Sequence, residues 1–101
     1  MAISSSSLTT TPTPVFTSTG VNVISAAYYC NIDQNNSQTV SVWLVPSGGA
    51  PDATNIIYNN VHIVASDTLI IDREKVVLDN GDMIYANCSA NISVTISSFG
   101  Q

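Results

Sequence analysis

The chain has 101 residues, room for about one domain and one hydrophobic core. Hydrophobic residues make up 45% of it and charged residues only 9%, against about 25% charge in ordinary globular domains. The net charge of −5 comes from seven acids against Arg73 and Lys75. This excludes a basic surface for phosphate backbones, so no nucleic-acid partner is expected. No apolar run nears the roughly 20 residues of a membrane helix, so no membrane partner is expected either. Serine and threonine supply 24 residues and asparagine 10, which predicts a neutral, polar surface.

Residues 1–14 (MAISSSSLTTTPTP) carry no charge and few apolar side chains. Such a segment offsets little of its backbone entropy by burial, so it is expected as an extended N-terminal arm, with residues 15–101 forming the domain. Pro12 and Pro14 stiffen the junction. Ile3 and Leu8 are the candidate anchors of this arm in apolar pockets of a neighbouring subunit. The segment has neither a basic stretch nor a leucine-rich one, so no export signal is expected.

From residue 15 onward the pattern is strands and turns. The stretch 21–31 (VNVISAAYYCN) reads as a strand, and 33–37 (DQNNS) as a turn. Val40, Val42 and Leu44 alternate with Ser41 and Trp43, the period of two expected of a half-buried strand. The stretch 46–52 (PSGGAPD) breaks regular structure. Residues 55–58 and 61–64 read as two short strands joined at Asn59-Asn60 by a hairpin turn. Strands at 68–71, 75–78 and 83–88 follow, with Asp79-Asn80-Gly81-Asp82 as the strongest turn signal. Ile92, Val94 and Ile96 alternate with Ser93, Thr95 and Ser97 in the clearest strand. No helical periodicity occurs. About eight short strands predict an all-β chain, a small antiparallel β-sandwich of jelly-roll or immunoglobulin-like type with its N-terminal arm. The expected core is Val42, Leu44, Ile84, Ala86, Ile92, Val94 and Ile96.

Few residues suggest chemistry. His62, the single histidine, falls on a V-H-I-V strand facing solvent, with no CxxC pair to complete a zinc site. Asp72, Arg73, Glu74 and Lys75 concentrate four charges in four residues; they read as a charged edge or subunit contact, not as paired catalytic carboxylates. The Asp79–Asp82 run is too short for a calcium loop and fits a turn. Cys30 and Cys88 with Trp43 between them imitate the immunoglobulin spacing, but Tyr85 lies three residues before Cys88 where the tyrosine corner needs two. Two buried, reduced thiols are expected. No cofactor, metal or catalytic residue is expected.

Several motifs follow one another in a familiar order: Tyr28-Tyr29-Cys30-Asn31, the segment 40–49 (VSVWLVPSGG), the segment 74–89 (EKVVLDNGDMIYANCS) and the segment 94–97 (VTIS). Over residues 15–98 the chain resembles a family of small β-sandwich structural proteins of tailed-bacteriophage virions. The resemblance implies a non-enzymatic, multi-copy building block: a capsid decoration (cement) protein, or an accessory subunit of the neck or tail. Its partners would be other virion proteins and copies of itself. It would be made in the cytoplasm of the host bacterium and end in the virion. The alternative is a receptor- or carbohydrate-binding module of a tail fibre, with Trp43, Tyr58 or Tyr85 stacking on sugar rings.

Overall fold

In a computed structural model that describes residues 2–72 and 76–100, the alternation at the C-terminus organises the core. Strand β9 (Ile92–Gly100) turns Ile92, Val94 and Ile96 inward, each 1% exposed, with Ser93, Thr95 and Ser97 on the other face. Burying such side chains is worth roughly 1.5–3 kcal/mol each. On one side β9 pairs with β3 (Asn22–Asn31) and on the other with β1 (Ala2–Ser7). The far side of β3 is covered by β6 (Thr68–Ile71) and β7 (Val76–Leu78), which lie at different positions along it. The second sheet runs β2 (Thr13–Thr17), β8 (Met83–Cys88), β4 (Gln38–Val45), β5 (Ile56–Ile63). Every pairing is antiparallel, and the two sheets enclose the core, so the chain is an all-β sandwich. The expected core residues are buried, except that Leu44 is half-buried against the cluster.

Three polar devices fix the frame. Asn31 is fully buried. Its amide donates to the Ile63 carbonyl at 2.9 Å and the Asn36 carbonyl at 3.0 Å, while its oxygen accepts from the Asp33 N–H at 2.9 Å. The end of β3 in one sheet is thereby tied to the end of β5 in the other. Buried Ser41 accepts the Asn60 N–H at 2.9 Å, and Asn60 adopts the left-handed conformation at φ 50°. The third device is the loop at Asp79–Asp82. Asp82 accepts from the Ser47 and Asp79 N–H groups, and Asn80 from the Gly20 N–H. Gly81 has φ 89°, and a Cβ there would sit 2.5 Å from the Ser47 hydroxyl, so glycine is required on two counts.

Three expectations are corrected. Asn59-Asn60 is not a hairpin: β5 runs unbroken from Ile56 to Ile63, and of the two shifts of its ladder against β4, the one between Val40 and Val42 is a bulge accommodated by Asn60. Residues 1–14 do not stand away from the domain over their described part. Strand β1 completes the β9 sheet, Leu8 donates its N–H to the Ile92 carbonyl at 2.9 Å, and Thr9 accepts from the Cys88 N–H, so the chain passes from one sheet to the other at this point. Leu8 therefore lies in this chain's own core, 7% exposed, and not in a partner's pocket. The thiols also differ from expectation. Cys88 is buried, but Cys30 is half-buried, because Tyr29 takes the inward position and the strand alternation turns Cys30 to the outer face. Both are free, as expected.

Candidate functional site

The described charges fall outside the strands. Asp33, Asp52, Asp67, Asp72, Asp79 and Asp82 all lie between strands, and no described strand contains an Asp, Glu, Lys or Arg. Several of these carboxylates are occupied in capping loop backbone. Asp33 accepts the Asn35 and Asn36 N–H groups and the Gln38 amide, and these bonds, the Asn35 one foremost, hold its pKa down at about 2. The Thr54 hydroxyl and N–H likewise lower that of Asp52. Groups engaged in this way cap the turns between strands.

The strands therefore present two uncharged outer faces. On the β1–β9–β3 sheet, the register sets Ile3 beside Ser97; Ser5, Thr95, Tyr28 and Ile70 in one row; and Phe99, Val23 and Val77 in another. Ile3 is 73% exposed, and Tyr28, Ile70, Val77 and Phe99 are also exposed. Hydroxyls fill the space between, with Ser5 and Thr95 in contact at 3.3 Å. On the other sheet, Tyr85 is the direct cross-strand partner of both Pro14 and Trp43, and Trp43 in turn pairs with Ile56. This forms a proline–tyrosine–tryptophan–isoleucine row, its aromatic rings half-buried.

Between the β5 edge and the β6/β7 edge the sandwich gapes. A hollow of about 240 Å³ is lined by Leu44, Ile57, Tyr58, Ile71 and Val76, and one of about 230 Å³ adjoins it through Leu44 and Val76 and reaches Asp82. The lining is apolar apart from the Tyr58 and Asp82 groups, and both Asp82 oxygens already accept backbone N–H groups. Beneath it Tyr29 is buried. Desolvation, reinforced by neighbouring Tyr58, pushes its phenol above the ordinary range, so it is held neutral.

The structure separates the residues singled out in the sequence. Ile3 is on an outer face and Leu8 in the core. Asp72 is exposed at the end of β6, and Arg73, Glu74 and Lys75 lie outside the described residues. His62 is exposed on β5, as expected, and Tyr58 lines the hollow, apart from the Trp43–Tyr85 pair. Among the described residues no group of three or more His, Cys, Asp or Glu side chains is placed to hold a metal ion. No helix among them is long and apolar enough to cross a membrane. The neutral surface was expected from composition; the confinement of the described carboxylates to the segments between strands was not, although Asp33, Asp52, Asp79 and Asp82 stand in stretches with turn chemistry. No protein-family model, curated protein or solved structure matches the chain.

Proposed function

We propose that this chain is a non-enzymatic structural protein of a bacteriophage virion, present in many copies as a capsid decoration (cement) subunit or a neck or tail accessory subunit. The observation that carries the reading is the confinement of the described charge to loops, which leaves both sheet faces neutral, with exposed apolar side chains among hydroxyls on the β9 sheet and an aromatic row on the other. Surfaces of this kind mate with other proteins without the several kcal/mol cost of desolvating an ion, and the centres of protein interfaces are likewise depleted in charge and enriched in aromatic residues. The motif order over residues 15–98 supports the same reading. Other virion proteins and copies of this chain are its partners, and the virion is its destination after synthesis in the host cytoplasm. Mass spectrometry of purified source particles, with electron cryomicroscopy to locate and count the copies, tests this. Regularly placed copies are expected, and absence of the chain from intact particles would overturn the reading.

A second reading, a carbohydrate- or receptor-binding module of a tail fibre, draws support from the direct pairing of Trp43 and Tyr85 on an uncharged face. Flat aromatic rings of this kind stack on sugar rings. Glycan-array binding that disappears in Trp43→Ala would favour it over the first reading, and no binding by the native chain would remove it.

A further inference from the structure

Strand edges expose unpaired N–H and C=O groups, and proteins guard them with proline, bulges, charge or interruption. Three of the described edges here are guarded. Strand β2 carries Pro14 and a ladder shift beside it. Strand β5 carries the Asn60 bulge. The β6/β7 edge is split into two short strands of four and three residues at different positions along β3, with exposed Asp72 at the end of the first. Strand β1 has none of these. It is uncharged and proline-free, and it pairs with β9 through six consecutive residues without a shift.

The direction of its free backbone groups follows from the register. Leu8 donates to Ile92, so in an antiparallel ladder Ser6 and Ser4 also direct their N–H and C=O groups to β9. Ile3, Ser5 and Ser7 then direct theirs to the open side. Three outward residues at a spacing of two, centred on Ser5, are self-complementary under a two-fold axis. Ser5 meets its own copy, and Ile3 meets Ser7 at both ends. Side-chain parity agrees, because residues 3, 5 and 7 share the outer face with Ser97, Thr95 and Ser93, so both copies keep their outer faces on the same side.

We propose that β1 is the self-association edge of this chain: two copies pair β1 to β1, antiparallel about a two-fold axis at Ser5, joining their β9 sheets into one continuous sheet. The pairing makes about six intersubunit backbone hydrogen bonds and brings exposed Ile3 of each copy beside Ser7 of the other. It deepens the multi-copy reading above and rests on it for its biological setting, while its geometry stands on the edge alone.

The test is the mass of the full-length chain in solution, by sedimentation velocity and light scattering. The native chain is expected at twice its monomer mass. Ser5→Pro removes an outward donor without removing a bond to β9, and is expected to halve the mass with an unchanged circular dichroism spectrum. In a Cys30→Ser background, Ser5→Cys is expected to form an oxidative dimer, since facing Cα atoms about 5.5 Å apart allow a disulfide. Ser4→Cys, which faces Ser6 of the other copy in this register, is expected to give none. A monomeric native chain, a dimer that survives Ser5→Pro, or crosslinking at position 4 and not 5 would each overturn the proposal; the cysteine pair decides the matter if the proline variant does not fold. Particle composition is a separate measurement. A monomeric chain found in particles sinks the self-pairing and leaves the virion reading intact, and a dimer absent from particles does the reverse.

Discussion

Leu8 distinguishes a terminus built into the fold from one that merely accompanies it. Its side chain is 7% exposed within the core cluster, at the point where the chain leaves the β9 sheet for the β8 sheet. Truncating a buried leucine to alanine costs about 2–5 kcal/mol through lost transfer energy and the residual cavity. Leu8 lies at the margin of the sandwich, where neighbours can relax, so Leu8→Ala should cost about 2–3 kcal/mol. With a urea slope of about 1–1.5 kcal/mol per molar for a chain of this size, the midpoint should fall by about 2 M. Urea unfolding followed by the fluorescence of Trp43 measures this directly. Val64→Ala is the internal control: Val64 is 63% exposed and lies away from the β1 edge, so its loss should move stability by less than about 0.5 kcal/mol. A Leu8→Ala midpoint equal to that of the native chain would show that residues 1–8 do not belong to the folded unit, and the β1 edge would lose its basis.

Ser41→Ala removes the acceptor of the part-buried Asn60 N–H at the β5 bulge, so a loss of about 0.5–1.5 kcal/mol is expected in the same unfolding assay. Asp33 titrates at about 2 in the folded chain, below its ordinary carboxylate value, so its contribution is complete above that ordinary value and is lost as pH falls from about 4 toward 2. Melting temperature against pH should therefore decline less steeply over that window in Asp33→Asn. Native-state alkylation should label half-buried Cys30 before buried Cys88, whose thiol pKa is raised by burial; intact-mass labelling after denaturation should count two free thiols without reductant.

The long apolar alternations were legible because their period is enforced by the core itself: β9 and β8 show inward Ile92, Val94, Ile96, Ile84 and Ala86 in both sequence and structure. Strand β1 was not legible, because four consecutive serines have no alternation and weak strand preference. It forms because β9 offers a regular open ladder and Leu8 supplies the apolar anchor at its end. The Asn59-Asn60 pair was misread for a related reason. Asparagine tolerates a positive φ in hairpin turns and in single-residue bulges alike, and only the acceptor on Ser41, across the ladder, selects the bulge. Cys30 was misplaced by composition, since a cysteine is more often buried than a tyrosine. Here Tyr29 occupies the core, and strict alternation leaves its neighbour outside.

The same reasoning links the fold to the proposed assembly. A sandwich of this size needs its inward faces for stability, and those are spent on the core, so contacts with other molecules fall to outer faces, edges and loops. The loops hold the described charge, and much of it is committed to backbone capping at Asp33, Asp52 and Asp82. The outer faces carry no charge to repel a second copy, and three edges carry features that discourage further pairing. One edge remains open, and it adjoins the face bearing Ile3, Phe99 and Tyr28. An arrangement in which one edge pairs and the rest are blocked yields a closed dimer, because a two-fold contact satisfies itself. Such a dimer doubles the neutral outer face in a single plane, and under the proposed structural role that widened plane is the contact surface the reading calls for.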